Sequence, residues 1–446
     1  MEATLRSAAE TALEAVREHG VEGEAYLLYD KELTIETSGG KVETLKEAEE
    51  IGIGIRVFNG GRMGFAYSTD LSPKAIKETV KDAVHISAYT DADEYNLLPE
   101  GGQNYPVMAT YDAGIGKLEL EAKIELARHT EKAARAYDPR VVLVDRAGYD
   151  DSEFSVLIMN SRGLYAYGRG SHCGLHISLA AREKDDTQNG FAFAMSRNLT
   201  GIDPIKVGEE GAMRAVRSLQ AKTIASARIP CIMEPYVVTR FMGLLASSIQ
   251  ADAVQKGKSM LADKLGRSIA SAHFNLVDDA VSLEGMASFP FDGEGVASQR
   301  KVIIDQGILQ GFLYDNYTGL KAGQASTGNG VRSSFRSLPG VGETNLILAP
   351  GSKEPNILMS DISRGMYITE VMGMHTANPI SGEFSVGAAG IMIEQGQLTY
   401  PVRGVTIAGN LWEMLRDVEA VGSDLRFFGG RAASTIRLTN LSIGGS

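Results

Sequence analysis

The sequence predicts an α+β protein: two related N-terminal α/β lobes followed by a β-rich C-terminal domain of barrel or sandwich type. Three observations carry this. Two segments repeat one pattern, a helix, then hairpins, then a helix opened by proline. Gly64-Phe65-Ala66-Tyr67-Ser68 of the first answers Gly190-Phe191-Ala192-Phe193-Ala194 of the second. Beyond Ile229-Pro230 the texture changes to alternating strands and glycine turns. The 446 residues exceed one ordinary core. The expected divisions are 1–100, 110–222 and 228–446. A chance match between two hairpin-then-helix segments is the alternative to duplication.

Leu5, Ala9, Ala12, Leu13 and Val16 form a helical stripe closed by Gly20. Two strands are expected within 25–40, with Leu33, Ile35 and Thr37 alternating. Ile51, Ile53, Ile55 and Val57 alternate with Gly52, Gly54 and Arg56, a half-buried strand. Asn59-Gly60-Gly61 reads as a hairpin turn, and Ser72-Pro73 opens a helix over 73–89. Residues 90–114 read as a polar linker. A helix over 115–136, several strands, a turn at Asn189-Gly190 and a helix from Asp203-Pro204 to Gln220 complete the second lobe. Further on, Asp305-Gln306-Gly307 and Glu394-Gln395-Gly396 sit between alternating strands as hairpin turns. A helix capped by Asn410 interrupts the strands over 411–420.

Lys+Arg 44 against Asp+Glu 56 gives a net charge of −12, which argues against direct nucleic-acid binding and against an anionic membrane surface. No apolar run approaches the length of a membrane span. Two cysteines cannot build a disulfide framework and suit a reducing, cytoplasmic setting. Met1-Glu2-Ala3 leads into an amphipathic helix with acidic residues, unlike a signal peptide.

Residues 236–261 are expected to form one buried helix ending near Lys256. Val237, Phe241, Leu244, Leu245, Ser248 and Ile249 share one stripe, and Gly257 follows where a C-terminus wants it. VQKGKSML (254–261), SFPFDGEGVASQRKVIIDQGILQGFLYD (288–315), TGNGVR (327–332) and GEFSVGAAGIMIEQGQLTYPVRGVTIAGN (382–410) follow in order. Together these resemble the TldD/PmbA peptidase family, closely in the C-terminal half and loosely before it. Of its two branches the chain is more similar to PmbA, also called TldE. In the TldD-like branch a helix carries His-Glu-x-x-x-His and a later cysteine completes a zinc site. Aligned on Asp252 and Gly257-Lys258-Ser259, those positions are Met242, Gly243 and Ser247 here. None is a zinc ligand or a base. No histidine lies between Ile177 and Ala272, and the last cysteine is Cys231. The resemblance therefore implies the metal-free branch: no catalytic residue and no cofactor in this chain, with zinc expected only in a TldD-like partner.

Other candidate chemistry is weighed residue by residue. His172-Cys173-x-x-His176 has metal-like spacing, but its neighbours favour a strand. There, four residues span roughly 13 Å, too far for one ion, and Cys173 points to the opposite face. Phe291-Asp292-Gly293-Glu294-Gly295 sets two carboxylates close together, as general acid–base work or calcium would want, but its two glycines and flanking strands read as a turn whose acids bond the local backbone. Thr327-Gly328-Asn329-Gly330 with Arg332 resembles an anion-binding loop; a mobile surface loop is the other reading. Gly257-Lys258-Ser259 has a nucleotide-loop ending, but Asp252 stands where the first glycine belongs. His375 and Asn378 lie at a strand end before Pro379, placed to orient a peptide or simply to bond the loop; Ser381 and Ser385 have no nucleophile-elbow context. Asn329, Arg332, His375 and Asn378 are thus the substrate-binding candidates.

The leading expectation is a metal-free TldE/PmbA-like subunit of a cytoplasmic metallopeptidase that degrades or processes unfolded peptides. It would shape the peptide channel while a TldD-like subunit supplies zinc, and would dimerise when alone. Within the family, "modulator of DNA gyrase" is expected to reflect downstream effects of proteolysis. The rivals are a stand-alone homodimeric peptide-binding protein without activity and a hydrolase using another nucleophile.

Overall fold

A computed structural model describes residues 1–445. The first lobe is α1 (Glu2–Glu18), β1 (Glu22–Ser38), β2 (Lys41–Asn59), β3 (Arg62–Ser68) and α2 (Pro73–Ser87). The second is α3 (Ala113–Lys117), α4 (Leu120–Tyr137), β4 (Val141–Asn160), β5 (Tyr165–Glu183), β6 (Asp186–Ser196) and α5 (Pro204–Val216). Their strands join in one antiparallel sheet, ordered β3-β2-β1-β4-β5-β6, with β1 and β4 paired from Glu24–Asn160 to Thr37–Ala147. Each half thus runs outward from the centre in the same order.

The correspondence between the halves has a physical basis in Gly64 and Gly190. A Cβ on Gly64 would lie 1.8 Å from the Ala83 carbonyl of α2, and one on Gly190 would lie 2.2 Å from the Gly211 carbonyl of α5. In each half a strand glycine lets the following helix lie directly on the sheet. This corrects the expected turn at Asn189-Gly190. Those residues are inside β6, and the β5–β6 turn comes earlier, with Lys184 at φ 56°. β1 is likewise one strand and not two. Its central Asp30-Lys31-Glu32 is polar, but its backbone is paired on both sides, to β2 and to β4.

Alternation along β1 sorts the sheet's faces. Ala25 and Leu27 pack with α1 and α2, and Leu33 and Ile35 pack with α4 and α5. Tyr26 points the other way and meets Phe291 and Phe335 of the C-terminal half. Gly52 and Gly54 serve this second face. A Cβ on Gly52 would meet the Phe335 ring at 2.3 Å, and one on Gly54 the Phe335 carbonyl at 2.2 Å. The connecting segment is strapped down: Leu98 is buried, the Asn160 Nδ2 donates to the Pro99 carbonyl at 2.8 Å, and the Tyr105 hydroxyl donates to the Gly295 carbonyl at 2.9 Å.

The C-terminal half contains β7 (Ala227–Met233), α6 (Pro235–Ala246), β8 (Leu276–Asp279), β9 (Arg300–Asp305), β10 (Ile308–Leu309), β11 (Gly330–Val331) and β12 (Gly340–Val341). It continues with β13 (Leu346–Leu348), β14 (Arg364–Met372), β15 (Glu383–Glu394), β16 (Gln397–Asn410), β17 (Val418–Val421), β18 (Arg426–Phe428), β19 (Arg431–Ala433) and β20 (Ile436–Gly444). β16-β15-β14-β7-β20 closes on itself through a β16–β20 pairing, a five-stranded barrel. A second sheet runs β10-β9-β8-β13-β19-β18. Val237, Phe241 and Leu245 of α6 share the largest core with both. The hairpins at Gln306-Gly307 and Gln395-Gly396 hold positive φ at both residues, the tight-turn geometry their sequences call for.

The expected helix over 236–256 is broken. α6 ends at Ala246, a 3-10 turn covers Ser247–Ile249, Gln250 is extended, and a short helix follows over Ala251–Gln255. The cause is backbone pairing with the 312–314 segment. Leu313 N–H donates to the Ile249 carbonyl at 2.8 Å, and Ala251 N–H donates to the Leu313 carbonyl at 2.9 Å. Gly257 does close the second piece, at φ 66°.

Candidate functional site

Where the two halves meet, the sheet face and the 286–298 and 328–332 segments enclose a cavity of about 240 Å³. Tyr26, Phe154, Val156, Phe289 and Phe291 give it apolar walls, and Asp292, Arg332 and Thr344 give it a polar side. Beside it lies a buried ionic network. Glu24 and Arg56 are direct cross-strand neighbours on β1 and β2. The Arg56 Nη2 donates to Glu24 Oε2 at 3.1 Å and to Glu294 Oε1 at 3.0 Å. The Arg332 Nη2 also donates to Glu24, and its Nε to the Gly293 carbonyl at 2.7 Å. Burial works against the Arg56 cation, but its two carboxylate partners outweigh this and hold its pKa above the ordinary value.

Asp292 behaves as its turn predicted. Its Oδ1 accepts from Glu294 N–H and Val296 N–H, both at 2.9 Å, and its Oδ2 from Gly330 N–H at 2.8 Å. Burial, helped by the neighbouring Glu294 charge, still pushes its carboxyl up to about 7. Glu294 departs from the expectation of local backbone bonding. It reaches across to Arg56 and accepts from Asn316 N–H at 2.8 Å. Burial raises its pKa as well. The sequence singled out Glu294 and Arg332 separately, and it set Arg56 as a charge among the Ile and Gly of 51–57, but nothing in it joined the three.

The other candidates fall elsewhere. Asn329 is fully buried. Its Nδ2 donates to Asp278 Oδ2 at 2.9 Å and to the Gly342 carbonyl at 2.8 Å, while its Oδ1 accepts from Lys301 at 3.0 Å and from Thr327 at 2.8 Å. All its hydrogen-bonding capacity is spent inside the fold, so it has nothing left for a ligand. Arg332 does line the cavity. Asn378 Oδ1 accepts from Ile380 N–H at 2.9 Å and Ser381 N–H at 3.1 Å, shaping its own turn. His375 is exposed in the 3-10 turn Met374–Thr376. His172 and His176 lie on β5, facing away from the fully buried Cys173. His176 Nδ1 is 3.0 Å from Asp150, and burial lowers the His172 pKa.

The helix that the resemblance assigns to a metal does not present a zinc donor set. Met242 is in the core. A Cβ on Gly243 would lie 2.9 Å from Arg431 Nη1, so a guanidinium covers that face of α6. Arg431 is held there by Glu343 at 2.5 Å, and Glu343 also accepts from Gln250 Nε2 at 3.3 Å. The Ser247 hydroxyl donates back to the Leu244 carbonyl at 3.2 Å. Cys231 is buried on β7, and burial pushes its thiol up to about 12, far from a metal-ready thiolate. A cation beside the helix and the lack of imidazole or thiolate are both unsuited to zinc.

Comparison with known proteins is consistent along the whole chain. Models of the PmbA/TldA metallopeptidase family match in sequence: domain 1 over residues 23–87, the central domain over 114–219 and the C-terminal domain over 226–445. The metalloprotease PmbA of Escherichia coli O157:H7 is 29% identical, over 99% of this chain and 96% of its own. The PmbA homologue of Haemophilus influenzae is 28% identical, over 100% and 97%. A Thermotoga maritima crystal structure, described as a candidate modulator of a DNA gyrase, superposes with a TM-score of 0.91 at 28% identity, covering 98% of this chain and 100% of that one. TldE from Thermococcus kodakarensis shares the fold with a TM-score of 0.90 at 23% identity, covering 98% of this chain and 100% of its own. The chain belongs to the PmbA/TldD metallopeptidase family, in its PmbA branch.

Proposed function

We propose that this chain is the metal-free subunit of a cytoplasmic TldD/TldE-type metallopeptidase. It shapes the channel in which unfolded peptides are degraded or processed, while a TldD-like partner supplies zinc. The observation that carries this reading is the Arg431–Glu343 pair lying on Gly243, at the helix face where the resemblance puts a catalytic glutamate. Hydrolysis of an amide needs an activated water and a group that stabilises the oxyanion. This face of α6 offers no metal to activate a water, and the guanidinium on it, Arg431, is already paired with Glu343. The N-terminal sheet and the barrel instead offer walls and edges along which an extended peptide can run.

The region 230–446, which holds the barrel, is the proposed association surface. Copurification tests the partnership. A tagged copy of this chain, coexpressed with a TldD-like zinc subunit from the same organism, is expected to retain that subunit at a fixed ratio. It should carry no zinc when expressed alone. Recovery of the tagged chain without the zinc subunit under gentle salt would count against the partnership and in favour of the stand-alone peptide binder.

A further inference from the structure

The cavity between the halves is lined by Arg332, a side chain with one donor that the fold leaves unused. The Arg332 side chain is 1% exposed, its Nε and Nη2 are engaged, and its Nη1 is buried without a hydrogen-bond partner. An orphaned guanidinium nitrogen is costly, so its place beside a cavity points to an acceptor brought by a ligand. The walls say what else that ligand carries. Tyr26, Phe154, Phe289 and Phe291 surround a space of about 240 Å³, enough for one large side chain.

The charges decide which acceptor fits. Arg56 and Arg332 are already balanced by Glu24 and Glu294, and Glu343 on the cavity wall is paired with Arg431. Asp292 is a further carboxyl at the same wall. A ligand carboxylate would add negative charge to a site with no spare cation, whereas a neutral carbonyl adds none.

We propose that this cavity is a side-chain pocket for an uncharged peptide segment: one aromatic or large aliphatic side chain enters it, and the adjoining backbone carbonyl accepts from Arg332 Nη1. The choice of a peptide as ligand rests on the function proposed above; the pocket's preference for an apolar, uncharged residue does not.

Binding to the isolated full chain tests it, with N-acetyl-phenylalaninamide, N-acetyl-phenylalanine and N-acetyl-glycinamide as probes. Met286 lines the cavity, so its isotope-labelled methyl resonance reports occupancy. The phenylalaninamide is expected to shift that resonance saturably, and the glycinamide to leave it unmoved. Arg332→Lys should weaken binding by about tenfold or more, the loss of one charge-assisted hydrogen bond. Because Arg332 is buried, Val156→Phe is the companion variant. Val156 is buried at the cavity wall among Tyr26 and Phe291, outside the ionic network, and filling the space there should abolish the shift in a chain that still melts cooperatively. Tighter binding of the free acid than of the amide would overturn the uncharged-ligand assignment. An unmoved Met286 with all three probes, or full binding by a well-folded Val156→Phe, would overturn the pocket. Saturable binding by a chain that never assembles with a zinc subunit would leave the pocket standing and sink the partnership instead.

Discussion

At the scale of residues, the Glu24–Arg56–Glu294–Arg332 network is a buried ionic tie between the two halves. Arg56 bridges carboxylates that belong to different halves, and all these side chains are nearly inaccessible. Removing the cation leaves two buried carboxylates facing each other. Arg56→Ala is therefore expected to cost about 3–5 kcal/mol in a urea unfolding titration, and a loss under 1 kcal/mol would place the network in solvent. Asp292 supplies a pH signature. Its folded pKa is raised to about 7, above the unfolded carboxyl value near 4. The folded state thus binds the proton more tightly. The contribution to stability is fully present below about pH 4 and is lost as pH rises through about 7. Glu294, shifted the same way, adds to this trend. Asp292→Asn should flatten the decline of unfolding free energy between those pH values. An unchanged slope would contradict the assignment, whatever happens to absolute stability.

At the scale of elements, α6 tests the proposed absence of a zinc site. Restoring Met242→His, Gly243→Glu and Ser247→His together should still fail to form a tight zinc site. The new carboxylate would meet Arg431, and no thiolate is at hand. Elemental analysis of the triple variant, purified without chelator, should find no stoichiometric zinc; one tightly held metal per chain would refute this. Much at this scale was legible beforehand, because local rules decide it. The turns at Gln306-Gly307 and Gln395-Gly396, the strand through His172 and His176, and the glycine closing at Gly257 needed only their neighbours. Elements set by distant partners were not legible. Gln250 is extended because Leu313 pairs its flanking backbone, and Gly190 lies in a strand because α5 presses on it. The ionic network failed for the same reason. Arg332 and Glu24 are 308 positions apart, and no pattern in either stretch announces the other. Gly64 offers a test of the close helix approach. Gly64→Ala should destabilise the fold by about 1–3 kcal/mol, since the obstructing atom is backbone and cannot swing aside.

At the scale of the whole molecule, a six-stranded sheet layer and a barrel half are locked face to face, with the cavity between them and α6 in the core of the barrel half. The barrel half is the surface expected to self-associate when no partner is present. Light scattering at micromolar concentration should then report a dimer, and a clean monomer would count against that role. The central claim is that peptide cleavage requires zinc from another subunit. Peptidase activity on an unfolded peptide, measured for this chain alone and with a TldD-like subunit, each with and without excess chelator, tests it most directly. The account predicts little activity alone, cleavage by the mixture, and loss of that cleavage to the chelator. Cleavage by the purified chain alone in excess chelator would contradict it and assign the chemistry to a nucleophile within this chain.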